Sequence, residues 1–334
     1  MKSAPQSIVS GKQMTAEDAI DPLALARSLL HVEYSEQACL AGTAKAARPQ
    51  AMAIHRWTDA NGIIHFSDQP PSGSTSGHRR IEVQGLPPIV VHASGYDVNI
   101  PDDLNQNAVS AAQAIDRVLR ETLGIKGDPG LVLNIEFIAS AKAWAARSGS
   151  PAMLNAAGTY STADRTIHIR LQNDKESNFL ILRHEITHAL VHERIGRLPT
   201  AINEGLAGYF EHIKVAGMGA QIALSESRRS LASARIEGNG QDELIDLLAH
   251  EGVSFYAAGR EQRYLRAFGL VAMLMQTPAG RASLGAVLDA QRRHPCVPIE
   301  AERILDANYP GGLPAMALAW ADWLNNPPSS VQAF

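Results

Sequence analysis

The stretch SNFLILRHEITHALVHER, Ser177 to Arg194, sets two histidines four positions apart inside an apolar run, with an acid directly after the first. An α-helix turns about 100° per residue, so positions i and i+4 differ by about 40° around its axis. On a helix, His184 and His188 therefore project from one face, one turn apart. Two imidazoles so placed reach one zinc ion at about 2.0–2.1 Å. Glu185 stands beside His184 but rotated along the helix, within reach of a water on the ion without being a ligand. This is the physical content of the H-E-x-x-H pattern. The competing reading is of two ordinary helix histidines, one of them in the core.

A catalytic zinc needs a third protein ligand and an open position. Glu193, five residues after His188, faces away and reads as a solvated acid. His192 continues the row but lies too far along one straight helix. Glu204 is the better candidate. It falls in LPTAINEGLAGYFE, Leu198 to Glu211, on a second helix that the Gly196–Thr200 turn folds back over the first. Gly205, next to it, allows close helix–helix approach. His212 reads as surface, and His250 and His294 sit at helix ends or in loops.

Outward from these helices, the 334 residues suffice for one large domain or two smaller ones, and an apolar fraction of 45% supports a sizeable core. The net charge is −4, and the basic pairs Arg79-Arg80, Arg228-Arg229 and Arg292-Arg293 read as solvated surface. No basic face for nucleic acid is visible. No apolar run approaches the ~18 residues of a membrane span. Two cysteines, Cys39 and Cys296, exclude a disulfide framework and a cysteine-built zinc finger, and leave room for one bridge.

Residues 1–50 read as a disordered leader or a degenerate export signal. Ala51-Met52-Ala53 is like a cleavage site, but His31, Glu33, Glu36 and Lys45 interrupt the apolar segment that should precede it. Residues 51–85 form a β-hairpin module. Ile54–Thr58 and Ile63–Ser67 flank Asn61-Gly62, whose tolerance of positive φ marks a tight turn, and a third strand is expected at Arg80–Val83. SGSTSG, residues 72–77, reads as a flexible spacer. Trp57, Asp59, Gly62, Ser67, Asp68 and Pro70 resemble the pattern of a small N-terminal domain of unknown function common in exported bacterial proteins. That resemblance implies a periplasmic or secreted protein, with a possible cell-envelope partner, and implies no chemistry.

Residues 86–101 are a linker and first strand, Ile89–Ile100, and residues 102–326 the main domain. A helix is expected at Ala108–Leu123 and an alternating strand at Leu131–Ile138. Gly158–Leu171 reads as a turn and then a strand, Thr166–Leu171, which lies edge-like before the histidine helix and suits pairing with an extended substrate. Helices follow at Ser177–Arg194, Ala201–Lys214, Ile222–Ile236, Asp242–Ala249, Gln262–Gln276, Arg281–Gln291, Ile299–Ala307 and Ala315–Leu324. Strands first and helices after give an α+β class.

From about residue 100 to 325 the chain resembles the gluzincin metallopeptidases, the thermolysin- and aminopeptidase-like clan, and most of all their peptidase MA-like bacterial branch. The matching residues are His184, Glu185 and His188, then Asn203, Glu204, Gly205, Ala207 and Tyr209 in the pattern N-E-G-x-A-x-Y. The resemblance implies a thermolysin-like domain, a small mixed sheet packed on the H-E-x-x-H helix with a helical C-terminal part. It also implies one Zn²⁺ held by His184, His188 and Glu204. A tyrosine some sixty residues on stabilises the transition state in such families. Tyr264 is the candidate, a packing tyrosine the alternative, and Tyr256 the reserve. The implied activity is an endopeptidase acting on peptide or protein, in which a metal-bound water attacks with Glu185 as general base. Gly208 stands where thermolysin-like enzymes carry an Asp that orients a zinc histidine, and the aminopeptidase motif Gly-x-Met-Glu-Asn is absent. Two other readings stay open: a catalytically inert zinc-binding scaffold of the cell envelope, and a metal-dependent hydrolase of a non-peptide amide such as a cell-wall linkage.

Overall fold

The computed structural model describes residues 51–59, 64–67, 70–71, 76–84, 89–126, 130–148, 156–216, 219–224 and 231–334. The expected leader, the Asn61-Gly62 turn, Asp68, Arg228-Arg229 and Cys39 lie outside them.

Strands β1 (Ala51–Thr58), β2 (Ile64–Ser67) and β3 (Ser76–Gln84) form an antiparallel sheet in the order β2-β1-β3. Thr58 faces Ile64 across the expected hairpin, and Ile54 faces Ile81 across the other side. β3 begins at Ser76, within the stretch expected as spacer.

The main sheet has four strands in the order β4-β5-β7-β6: β4 (Ile89–Tyr96), β5 (Leu131–Ile138), β6 (Gly158–Ser161) and β7 (Thr166–Arg170). β4, β5 and β7 run parallel, and β6 is antiparallel to β7. In β5 Leu131, Leu133, Ile135 and Phe137 are buried while Val132 is 40% exposed, so period-two alternation buries one face of this strand. That face carries helix α1 (Asp102–Arg117), which ends in a widened turn at Val118–Thr122, and helix α3 (Lys175–Arg194). A short helix α2 (Ala141–Ser148), not expected from the sequence, sits between β5 and β6 and buries Trp144 against Ile138 and Ala156.

Asp174 caps α3 by accepting from the Ser177 amide at 2.7 Å. Twelve of its residues are buried, so α3 is a core helix rather than a surface one. Helix α4 (Thr200–Glu211) packs on α3 and on a later helix, α7 (Arg260–Gln276). Pro199 offers α4 no side-chain cap. Glu251 supplies it from afar, accepting from the Thr200 amide at 3.1 and 3.2 Å and from its hydroxyl at 2.6 Å.

After α4 the expectation fails. The helix expected to Lys214 stops at Glu211, and strands β8 (Ile213–Ala216) and β9 (Gly219–Ala223) follow; of the helix expected over Ile222–Ile236, Ile222 and Ala223 belong to β9, Ala232–Ala234 is a 3-10 turn, and 225–230 lie outside the described residues. Ala220 and Ile222 are buried and their neighbours in β9 are not, a period of two. The later helices among the described residues are α5 (Gln241–Ala249), the four-residue α6 (Val253–Tyr256), α7, α8 (Pro278–Arg293), α9 (Ala301–Asn308) and α10 (Gly312–Asn325). β10 (Val331–Ala333) returns to pair with β9. The chain is of the α+β class.

Candidate metal centre

α3 and α4 meet where the two histidines face Glu204. His184 Nε2 lies 3.0 Å from His188 Nε2 and 3.4 Å from Glu204 Oε2, and His188 Nε2 lies 3.6 Å from the same oxygen. Two ligand atoms each about 2.0–2.1 Å from one ion at a tetrahedral angle stand about 3.4 Å apart, so the triangle has the size of a coordination shell. Among the described residues this is the one group of three or more metal-ligating side chains whose ligand atoms converge. Glu204 Oε2 is buried and has no hydrogen-bond partner. An unpaired buried carboxylate oxygen is costly, and a cation in the triangle relieves it.

Two of the three ligands are held from behind, whereas the buried Nδ1 of His188 has no hydrogen-bond partner. His184 Nδ1 lies 2.5 Å from Glu211 Oε1. Glu211 is seven residues after Glu204 on α4, so the acid missing at Gly208 arrives one turn later. Buried Arg183 ties the same turn by donating to the Glu211 carbonyl at 3.1 Å. Glu204 Oε1 accepts from the Tyr256 hydroxyl at 2.6 Å. Glu251, which caps α4, stands five residues before Tyr256, so one short segment both starts α4 and grips its carboxylate.

Burial works against charge on His184, yet Glu204 and Glu211 outweigh it and push its pKa up to about 10. Burial alone would raise Glu204, but the imidazoles of His188 and His184 hold it well below the carboxylate range. The two shifts are two sides of one attraction between the imidazoles and the carboxylates.

Glu185 is 2% exposed, and its pKa is raised by burial, against the opposing pull of His184 and His188. The Tyr160 backbone opposes that rise by favouring the charged carboxylate. Gly158 lies alongside, where a Cβ would come within 2.8 Å of Glu185 Cγ and 2.7 Å of Ile181 Cγ2. Sequence reasoning missed Gly158, Tyr160 and Glu211. Only the alternation of Gly158 and Tyr160 next to a turn hinted at a strand there. β7 is an interior strand, so among the described residues the sheet edge beside the site belongs to β6 and not to Thr166–Leu171.

Tyr264 is 7% exposed on α7, 6.1 Å ring to ring from Tyr256. Burial pushes its phenol well above 10, and the charges of Glu204, Glu185 and Glu211 add to the shift, so it remains a neutral donor near all three carboxylates.

Three expectations are corrected. Glu193 is not solvated: its side chain is 3% exposed and pairs with Arg165. His212 is buried, 5.8 Å ring to ring from Phe268, because β8 turns the chain inward after α4. Gly205 opens the way not to α3 but to α7, where a Cβ would lie 2.5 Å from the Ala267 carbonyl.

Among known proteins, the family model "Domain of unknown function (DUF4124)" matches residues 39–94, a span covering β1 to β3 and most of β4 but none of the residues above. This domain is typical of exported bacterial proteins. No curated protein matches the chain. No helix among the described residues is long and apolar enough to cross a membrane.

Proposed function

We propose that the α3–α4 site makes this protein a zinc-dependent metallopeptidase of gluzincin type, with a thermolysin-like arrangement of sheet, H-E-x-x-H helix and Glu-bearing helix. The observation that carries the reading is the convergence of two imidazole nitrogens and one orphaned carboxylate oxygen at 3.0–3.6 Å, with a further buried carboxylate, Glu185, alongside. Two nitrogens and one oxygen from protein is a donor set that suits catalytic zinc, which keeps its fourth position for water or substrate. When bound, zinc supplies Lewis-acid activation of water and of the scissile carbonyl.

The protein's own groups do the rest. Glu185, packed against β6 at Gly158, takes the proton of the attacking water and returns it to the leaving amine, and burial lifts its basicity toward that task. Tyr264, kept protonated, donates to the oxyanion that develops at the carbonyl. Tyr256 and Glu211 keep Glu204 and His184 in their ligand orientations. β6 offers a free edge to which an extended peptide backbone can pair.

Purified protein is expected to carry one zinc per chain by elemental analysis and to cut a peptide library, with chelator abolishing the cutting. Glu185→Gln is expected to keep zinc and lose turnover by about 10²–10⁴. Zinc-loaded wild type that leaves broad libraries intact would favour the scaffold reading. Export to the periplasm or beyond is part of the proposal. The matched N-terminal domain supports it. Cell fractionation tests it.

A further inference from the structure

Behind the metal centre lies a buried polar cluster with no part in holding an ion. Glu193 Oε1 accepts from the Tyr160 hydroxyl at 3.0 Å and from Arg165 Nε at 2.8 Å, and its Oε2 pairs with the other arm of the same guanidinium. The Tyr160 hydroxyl is also 3.1 Å from His192 Nδ1. Arg165 closes the β6–β7 turn at φ +55°, a left-handed conformation that a non-glycine residue adopts at a cost and keeps only where its surroundings impose it. One residue further along α3, Arg194 pairs with Asp116 of α1 at 2.9 Å, so this end of the helix is fixed on two sides.

The same hairpin touches the other end of the site. The Arg170 amide donates to the Ala157 carbonyl at 2.8 Å. Hydrogen-bonded pairs therefore fall at 157, 159 and 161, and the backbone groups of Gly158 and Tyr160 point away from β7. β6 also meets Glu185: a Cβ at Gly158 would come within 2.8 Å of Glu185 Cγ and 3.0 Å of its Oε1, and the Tyr160 backbone favours the charged carboxylate. β6 thus meets Glu193 through the Tyr160 side chain and Glu185 through its own backbone.

We infer that Glu193 and Arg165 are positioning residues: they clamp β6 onto α3 in the one placement that packs the Gly158–Tyr160 backbone against Glu185 and leaves the outer edge of β6 facing the metal centre. The clamp orients Glu185 from a distance of about two helical turns and touches none of His184, His188 and Glu204. Its consequence for turnover rests on the metallopeptidase reading, but its consequence for the strand does not.

The test uses the full chain loaded with zinc alone and two variants, Arg165→Ala and Tyr160→Phe, the second keeping the ring and losing only the hydroxyl. Amide hydrogen exchange over Gly158–Ser161 is expected to quicken at least about tenfold in both. The kcat on a cleavable peptide is expected to fall by about tenfold or more from misplacement of Glu185. Zinc affinity, read by chelator competition, should stay within about twofold, since no ligand is supported by the cluster. Arg165→Lys, which keeps the charge, is expected to recover part of the kcat. If exchange over β6 and kcat both stay within about twofold of wild type while the melting temperature falls, the cluster is merely structural and the inference is overturned. If wild type cuts no peptide, the exchange measurement alone decides the clamp, and the metallopeptidase reading fails separately.

Discussion

His184 is gripped on both ring nitrogens: Nε2 faces Glu204 and His188, and Nδ1 meets Glu211. A carboxylate behind a metal-ligating histidine fixes its ring and raises its basicity, and removing such a partner typically weakens binding by 10–100-fold. Glu211→Ala is accordingly expected to raise the zinc Kd by about 10–100-fold in a chelator competition, with Gly208 substitutions showing no such loss. The two tyrosines separate by readout. Tyr264→Phe is expected to lower kcat by about 10²–10³, as for loss of an oxyanion donor, with zinc affinity unchanged. Tyr256→Phe leaves Glu204 Oε1 without its donor and should act on zinc affinity. A Tyr264→Phe enzyme with wild-type kcat would remove that residue from the chemistry. His184, His188 and Glu204 were legible because helical periodicity and a short turn place them. Glu211 was not, because one turn more or less along a helix leaves the same spacing rules satisfied.

Between elements, the link from α3 to the β6–β7 hairpin carries a pH signature. Burial raises Glu193, but His192 and Arg165 outweigh it and hold its carboxyl below the ordinary value of 4.5. A carboxylate whose folded pKa is depressed adds stability above its unfolded pKa and loses it as pH falls through the folded value. Melting temperature is therefore expected to drop on acidification below about pH 4.5 in wild type, and this drop should be shallower in Glu193→Gln. Parallel slopes for the two proteins would show that the pair with Arg165 adds nothing. The antiparallel edge strand itself was hidden, since four residues, Gly158–Ser161, are too few for alternation to register against a turn signal. β8 and β9 were lost similarly, as short alternating runs inside an apolar stretch that suits a helix equally well.

At the scale of the molecule, the centre depends on three stacked helices. α4 is buried nearly all round, with Ile202, Leu206, Tyr209 and Phe210 fully covered, each such side chain contributing about 1.5–3 kcal/mol. It rides close enough on α7 that Gly205 admits no Cβ without moving the Ala267 carbonyl or Val271. Gly205→Ala is expected to destabilise the fold by about 1–3 kcal/mol through overpacking. That corresponds to a melting temperature lower by about 2–4 °C per kcal/mol in a domain of this size. An unchanged melting temperature would mean that the α4–α7 contact yields freely.

The sequence by itself determined the two helices that carry His184, Glu185, His188 and Glu204, because a 3.6-residue period and a short glycine-bounded turn act over one or two turns of chain. It also determined the α+β class and the N-terminal hairpin, through alternation and an Asn-Gly turn. Tertiary structure alone decided which acid backs His184, which tyrosine reaches Glu204, that Gly205 faces α7, and that β6, not β7, is the free edge. These are contacts between residues far apart in the chain or on different elements, and no local period encodes them. They follow only from how the buried faces of sheet and helices pack.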